Sequence, residues 1–295
     1  MGSVQVGVAR EPAPARRLRA WFRSLLALPT IAWVGLFFAV PLGLIVLYSF
    51  ASVSLVTFDI TFGWTWSNYS QIAQRLYLDT LTRSVLLSVT ATAGCLLLGF
   101  PLAYFVSRQP PRMQRALLAL IMIPFWTSFI VRTYAIENLL GPGGPLDHLA
   151  RAVGYSHGLV LLYTPNAIAV GILYSYLPLM VLPIYVSLER IEPALIDAAA
   201  DLGARPRRSF WRVTVPLAAP GILVGCVIVG IPAMGEYVIP EVLGGGKTLM
   251  LGNVLSAQFL SVGNDPFGSA IAVVLMVVMA IALLALRRAR KLEAA

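Results

Sequence analysis

The stretch from Asp197 to Pro216, DAAADLGARPRRSFWRVTVP, decides how this sequence is organised. It is a charged segment inside a very apolar chain, so it separates two apolar regions instead of belonging to either. Pro193, just before it, can begin a helix because a first-turn residue needs no backbone donor. Gly203 can end that helix in a left-handed conformation, and Pro206 can begin another. The pattern predicts two short helices joined at an elbow.

The first of these helices is predicted to have one acidic and one apolar face. Asp197 and Asp201 are four residues apart and therefore lie on the same side. The opposite face is small and apolar, and comprises Leu195, Ala198, Ala199 and Leu202. The alanines leave room for the surface of another protein, so a rigid elbow here is suited to transmitting movement from a partner.

The composition predicts an integral membrane protein. Hydrophobic residues make up 58% of the 295 residues and charged residues only 12%, and the mean hydropathy is +0.81. A soluble domain carries about twice that share of charge. The two cysteines, Cys95 and Cys226, fall in apolar stretches and are interpreted as core residues, not as a disulfide or metal site.

Charge-poor windows predict an all-α protein with six transmembrane helices, because each span needs roughly 20 apolar residues. The predicted helices are 29–51, 82–107, 116–138, 165–187, 213–235 and 266–287. The first is too long for the apolar part of a cleaved signal, so an uncleaved span is expected. The predicted plan is a cytoplasmic tail 1–28, a transmembrane domain 29–287 that includes the loop 190–216, and a cytoplasmic tail 288–295.

The distribution of Lys and Arg predicts the orientation. Most of the 22 basic residues fall in the two tails and in alternate loops, at 108–115 and 190–212. Basic loops stay on the cytoplasmic side of a membrane, so both termini and the loop 190–216 are predicted to be cytoplasmic. The net charge of +9 is explained in this way, and no nucleic-acid partner is expected.

The spacing within the loop 190–216 resembles the cytoplasmic signature of ABC-importer permeases. That signature has an acid followed by two alanines, a glycine six positions after the acid, and an aliphatic-x-aliphatic-Pro ending thirteen after the glycine. The matching residues here are Asp197, Ala198, Ala199, Gly203, Ala204 and Pro216. Asp197 replaces the usual Glu, and Val213 and Val215 replace Ile and Leu. The alternative is an ordinary basic loop whose arginines only fix the topology.

This resemblance implies a type I importer fold and the composition of a whole transporter. The chain would be a permease in a bacterial inner membrane, with the loop as the socket for a separate ATPase. Its partners would be a second, paralogous permease, two copies of the ATPase subunit, a periplasmic substrate-binding protein and the lipid bilayer. The chain itself would bind no cofactor and no metal and would not be an enzyme, because ATP and Mg²⁺ belong to the ATPase.

Acidic residues collect on the predicted outer side. An acidic vestibule lowers the free energy of a cation near a pore. Glu236 lies at the outer end of the fifth predicted helix, and a carboxylate at membrane depth is a functional hypothesis by default. The acids of the outer loops and helix ends are Asp59, Asp79, Glu137, Asp147, Glu236, Glu241 and Asp265.

Two further runs resemble the spermidine/putrescine permeases. They are GEYVIPEVLGGGKTLMLGN, from Gly235 to Asn253, and PFWTSFIVRTYA, from Pro124 to Ala135. With the loop 190–216, the resemblance covers nearly all of the chain from the second helix onward. It implies import of a linear polyamine through a channel between two different permease subunits.

The chemistry of a polyamine suggests candidate pathway residues, since carboxylates and aromatic faces bind ammonium groups. One candidate set is Glu236, Tyr237 and Glu241, and the facing set is Trp126, Tyr134 and Glu137. The two aromatic residues of the facing set are equally well explained as an interfacial belt. The alternative for the first set's carboxylates is a salt bridge with Lys247 or Arg132.

Several other patterns have simpler interpretations. Trp64, Trp66 and Tyr69, in the first outer loop, are candidates for docking the binding protein or for anchoring at the membrane surface. Gly246-Lys247-Thr248 lacks the earlier glycine of a phosphate-binding loop. His148 and His157 do not predict a metal site, because isolated surface histidines are commoner. Gly221 and Gly225 predict close helix packing, within the bundle or against a second permease.

Two other functions stay open from the sequence. One is the same importer class with another organic cation, an opine, an aminophosphonate or a sugar as cargo. The other is a secondary transporter or channel that works without ATP. Secondary transporters carry ionisable residues in mid-helix, whereas the charges here cluster at helix ends and in the loop 190–216.

Overall fold

The computed structural model describes residues 28–54, 57, 59–154 and 161–293, with side chains as far as residue 285. Most of the predicted N-terminal tail, the basic side chains near the C-terminus and His157 lie outside the described residues. The helices are α1 Leu28–Ser49, α2 Ser67–Ile72, α3 Arg75–Ser107, α4 Pro111–Trp126, α5 Phe129–Leu140, α6 Pro145–Ala152, α7 Pro165–Glu189, α8 Pro193–Asp201, α9 Pro206–Met234, α10 Val238–Gly244, α11 Leu251–Val262 and α12 Asp265–Glu293. Strands β1 Ala51–Val53 and β2 Ile60–Phe62 pair antiparallel, with Ala51 opposite Phe62.

Among the described residues, five helices are long and apolar enough to cross a membrane: α1, α3, α7, α9 and α12. The all-α prediction is confirmed. Two of these spans, α3 and α9, begin seven residues earlier than predicted. Helix α3 begins at Arg75 because its polar first turns extend the helix beyond the apolar window. Helix α9 begins at Pro206 because the second helix of the elbow runs without a break into the membrane span.

The predicted third span, 116–138, is wrong as a single helix. The chain there forms a bent pair, in which the segments on either side of Thr127 and Ser128 meet at 91°. Helix α4 ends in a 3₁₀ turn that contains Pro124, which cannot donate a backbone hydrogen bond. The Thr127 hydroxyl donates to the Pro124 carbonyl at 2.7 Å, and Thr127 itself is extended. Six spans result only if this bent pair counts as one.

Helices α3, α7 and α9 pack together as the centre of the bundle. A β-carbon on Gly225 would lie 2.6 Å from the Met180 sulfur, and one on Gly221 would overlap the Pro183 carbonyl. These two glycines therefore allow α9 to approach α7 closely. Of the two interpretations that the sequence leaves open, packing within the bundle explains them, and contact with another subunit does not. Cys95 is a buried free cysteine in the same core, as the sequence predicts.

Helix α1 packs differently from the other spans. It contacts α12 through Val40–Ser49, and none of the most apolar 18 residues of α1 is buried. The chain alone therefore leaves most of the apolar surface of α1 to be covered by lipid or by protein. At the end of α1, the β-hairpin and α2 lead into α3.

Candidate functional site

The elbow between α8 and α9 has the local structure that its sequence predicts. Gly203 has a φ of +80°, which L-residues with side chains rarely adopt. Its N–H donates to the Ala200 carbonyl at 2.8 Å, and the Ala204 N–H donates to the Ala199 carbonyl at 3.0 Å. This pair of bonds is a Schellman motif. It ends α8 and turns the chain toward Pro206.

Helix α8 lies on the bundle by one side only. Ile196 packs against the apolar cluster that contains Leu188 and Ile191, at the predicted cytoplasmic end. The side predicted to meet a partner is open: Leu202 is 89% exposed and Leu195 is 48% exposed. The remaining predicted elbow residues are exposed or half-buried, namely Asp197, Ala198, Ala199, Asp201, Gly203 and Ala204. The elbow therefore presents a formed but uncovered surface.

On the outer side, Glu236 is buried and its carboxylate is fully used within the chain. Oε1 accepts the N–H groups of Tyr237 and Val238, both at 3.1 Å. Oε2 accepts the hydroxyl of Tyr176 at 2.7 Å. Because Tyr176 belongs to α7 and Val238 begins α10, this carboxylate joins a central span to the outer segment that follows α9.

Glu241 differs from Glu236 because it is exposed and held in place by one buried amide. Asn253 donates through Nδ2 to Glu241 Oε2 and to the Tyr237 carbonyl, both at 2.9 Å. Its Oδ1 accepts the Met250 N–H at 3.2 Å, which completes the hydrogen bonding of the amide. Tyr237 is 48% exposed. The buried Asn253 amide thus holds both the exposed Glu241 carboxylate and the backbone of Tyr237.

The predicted facing set lies on α5 and at the bend before it. Helix α5 packs directly on α10, with Ile136 and Leu140 in one core with Ile239 and Leu243. Tyr134 is half-exposed, Glu137 is half-buried, and Trp126 is 83% exposed. The two predicted sets therefore occupy neighbouring helices of one outer flank.

The predicted salt-bridge alternatives are not found among the described residues. Arg132 is buried, and its guanidinium lies over the rings of Phe125 at 5.3 Å and Phe129 at 5.7 Å. Lys247 lies 5.9 Å from the Tyr163 ring. The ion pairs found in the described part of the chain join Arg75 with Asp79 and Arg151 with Asp147.

Asp147 does not belong to an open acidic vestibule, contrary to its inclusion with the outer acids. It is buried, its Oδ2 accepts the Gly143 N–H at 3.0 Å, and it pairs with Arg151 at 3.0 Å. Burial in a short helix, with a cation four residues away, explains this structural role.

Comparison with known proteins identifies the family. Residues 95–290 match the family described as the binding-protein-dependent transport system inner membrane component. The chain belongs to this family. It is 35% identical over 272 residues to the spermidine/putrescine transport system permease protein PotB of Salmonella typhimurium strain SL1344, covering 92% of this chain and 94% of that protein. PotB of Escherichia coli K12 is 36% identical over 263 residues, with 89% and 95% covered.

The fold of this inner membrane component also resembles that of a solved bacterial transporter. A chain of an ABC transporter that imports the acidic polysaccharide alginate superposes with a TM-score of 0.67, at 17% identity, covering 92% of this chain and 96% of that chain. The permease fold and the inner-membrane location expected from the sequence are therefore confirmed.

The permease carries an aromatic cluster at the outer end of α1. The ring of Phe50 lies 5.3 Å from Trp64, 5.1 Å from Trp66 and 5.3 Å from Tyr69, measured between centroids. Both tryptophans remain about 70% exposed. Asn68 fixes the cluster by donating to the Ser49 and Ala51 carbonyls. The predicted docking residues thus form one preorganised surface.

Asn253 and Tyr176 are the site residues that the sequence predictions omitted. Asn253 ends the quoted run from Gly235, and a polar amide inside an apolar stretch is the signal that was available. Tyr176 offers no comparable signal, because its partner is 60 residues away.

Proposed function

We propose that this permease imports a polyamine of the spermidine and putrescine type, with its ammonium groups passing Glu241 and Tyr237. The observation that carries the proposal is the exposed Glu241 carboxylate held by buried Asn253, one helical turn from the half-exposed Tyr237. A carboxylate with a fixed orientation and an aromatic face together suit an ammonium group joined to methylenes. The names of the PotB relatives support the same cargo.

Glu236 takes a different part in this proposal. Its buried carboxylate adds negative electrostatic potential below the path of the cargo. It also positions the segment that carries Tyr237 and Glu241. Trp126, Tyr134 and Glu137 line the same flank one helix away, and their exposure permits contact with cargo or with a second permease. The cluster of Trp64, Trp66 and Tyr69 docks the periplasmic binding protein in this account, with anchoring at the membrane surface as the alternative.

The elbow is proposed to bind the ATPase. Its support is the Schellman turn at Gly203 and the exposed apolar side chains of Leu195 and Leu202 on either side of the exposed Asp197 and Asp201. The working transporter would then contain a paralogous second permease, two ATPase subunits and the binding protein. ATP and Mg²⁺ would bind to the ATPase, and this chain would contribute neither a cofactor site nor catalysis.

Uptake by the reconstituted transporter tests the cargo. The permease, its partner subunits and the binding protein are placed in liposomes with ATP inside, and entry of labelled spermidine is measured. We expect ATP-dependent, vanadate-sensitive uptake that falls at least about tenfold in Glu241→Gln. The control is Asp79→Asn, which removes an exposed carboxylate paired with Arg75 on α3.

The outcomes separate the alternatives. Uptake of an opine, an aminophosphonate or a sugar in preference to spermidine would overturn the polyamine cargo while keeping the importer class. Uptake that is indifferent to vanadate and to the ATPase would instead support a secondary transporter. Equal effects of the two variants would remove Glu241 from the pathway.

A further inference from the structure

An apolar groove opens between α3 and α9, away from the outer site. Its volume is about 370 Å³, within the range of about 300–1,000 Å³ of small-molecule sites. Leu97, Phe100 and Pro101 line it from α3, and Trp211, Val215 and Ile222 line it from α9. None of these side chains offers a charge, so the groove suits a hydrocarbon chain.

The depth of the groove places it in one leaflet. Helix α3 ends at Ser107 on the predicted cytoplasmic side. At 1.5 Å per residue, Pro101 and Leu97 lie about 9 Å and 15 Å from that end. Half of a bilayer core is about 15 Å thick. The groove therefore lies alongside acyl chains of the cytoplasmic leaflet.

The cytoplasmic end of the groove is basic. Arg207 and Arg208 are exposed and lie within one helical turn of Trp211. Arg108 stacks on the Tyr104 ring at 5.1 Å, and that ring contacts Phe210 at 5.4 Å, beside the groove. None of these guanidinium groups takes part in the ion pairs found among the described residues. The groove thus ends at positive charges that lack an anion from this part of the chain.

We propose that the groove binds an anionic phospholipid, with an acyl chain between α3 and α9 and the phosphate near Arg108, Arg207 and Arg208. Basic pockets between spans on the cytoplasmic side bind anionic head groups. Trp211 is 61% exposed and lies one helical turn from Arg207 and Arg208. Tryptophan is enriched where the hydrocarbon of a bilayer meets the head groups, so its position agrees with a lipid bound here. An apolar helix of a second permease would fill the groove, but it would not neutralise the positive charges at the end of the groove. The lipid site is independent of the identity of the cargo.

Lipid retention by the assembled transporter tests the site. Full-length permease, co-purified with its partner subunits, is titrated with phosphatidylglycerol or with phosphatidylcholine of the same acyl chains and analysed by native mass spectrometry. We expect tighter binding of phosphatidylglycerol, weakened roughly 30-fold in the Arg207→Gln/Arg208→Gln variant. The matched control is Arg75→Gln/Arg83→Gln, which removes two charges from the opposite end of α3 and should leave binding unchanged.

A second measurement locates the lipid without relying on variants that lose charge. Phosphatidylglycerol with a photoreactive acyl chain should cross-link to peptides containing Leu97 or Trp211, and Val215→Trp should block that cross-link. Equal binding of the two lipids, equal effects of both double variants, or cross-links that fall elsewhere would each overturn the proposal. A photoreactive amino acid placed at position 97 that cross-links to the second permease would instead assign the groove to a subunit interface.

Discussion

The hydroxyl of Tyr176, in the middle of α7, donates a 2.7 Å hydrogen bond to Glu236, just beyond the end of α9. The other oxygen of that carboxylate accepts the first two N–H groups of the segment leading into α10. One buried side chain thus ties a central span to the segment that carries Tyr237 and Glu241. Any movement that separates α7 from this outer segment has to break the bond between Tyr176 and Glu236.

Glu236 allows charge and geometry to be tested separately. Glu236→Gln retains an acceptor for the backbone N–H groups and lets the Tyr176 hydroxyl accept instead of donate. We expect normal assembly but about tenfold lower spermidine uptake, since only the negative charge is lost. Glu236→Ala leaves buried donors unsatisfied and should lower the free energy of unfolding by about 2 kcal/mol or more. Unchanged uptake in Glu236→Gln, measured at equal protein levels, would argue against a pathway role.

Asn253 is expected to orient Glu241 for cargo. Asn253→Asp removes both Nδ2 donations and places two carboxylates side by side, so the KM for uptake should rise about tenfold or more. In the double variant Glu241→Gln/Asn253→Asp, the glutamine amide can donate to the new carboxylate. We expect the double variant to assemble normally and to unfold at the temperature of the wild type. Its KM should stay raised, because the negative charge has moved to a buried position. Recovery of the KM would mean that cargo binding does not need the Glu241 carboxylate, which would contradict its proposed place on the pathway.

Gly203 is expected to be required for coupling. A β-carbon there meets nothing within 4 Å of its own chain, but the φ of +80° makes any side chain costly, by about 1–2 kcal/mol. We predict that Gly203→Asp abolishes both transport and co-purification of the ATPase, and that Gly203→Ala weakens them. Ala199→Asp, on the same elbow, should act in the same way.

The control for Gly203 is Gly143→Ala on the outer side. Gly143 has a φ of +73° and an equally open surrounding, so it imposes the same backbone strain without touching the elbow. If the Gly143 variant reduced ATPase retention as much as Gly203→Ala, the effect would reflect general instability.

The glycines of α9 are expected to set bundle stability. Gly221→Ala would force a β-carbon against the backbone carbonyl of Pro183, whereas the first atom that Gly225→Ala meets belongs to the flexible side chain of Met180. We predict a loss of about 1–3 kcal/mol for Gly221→Ala and a smaller loss for Gly225→Ala. Gly43→Ala on α1, with nothing within 4 Å, should cause no loss of stability, because alanine is the better helix former. Thermal unfolding in detergent measures all three, and a neutral Gly221→Ala would show that α7 and α9 are not packed this closely.

Local backbone rules explain what the sequence predicts well. Pro193 at a helix start, Gly203 at a left-handed turn and Pro206 at the next start each constrain their own backbone, so the elbow is predictable residue by residue. Apolar windows likewise locate the spans. The 91° bend between α4 and α5 escapes a hydropathy window because Thr127 and Ser128 are uncharged and the flanking residues stay apolar.

Contacts between distant residues explain what the sequence does not predict. Tyr176 and Glu236 are 60 residues apart, and Asn253 and Glu241 are 12 apart with a turn between them. No periodicity links such pairs, so the internal use of Glu236 and the role of Asn253 follow only from the folded chain. The burial of Asp147 is a similar case, because its charge alone suggests an exposed acid.

Cross-linking from position 202 is the most direct test that the elbow binds an ATPase. A photoreactive amino acid replaces Leu202, which is 89% exposed, in the full-length permease expressed with its partner subunits. On illumination of the intact membrane we predict a cross-link from residue 202 to the ATPase subunit. A cross-link to the periplasmic binding protein instead, or none to the ATPase in a transporter that still takes up spermidine, would contradict the account.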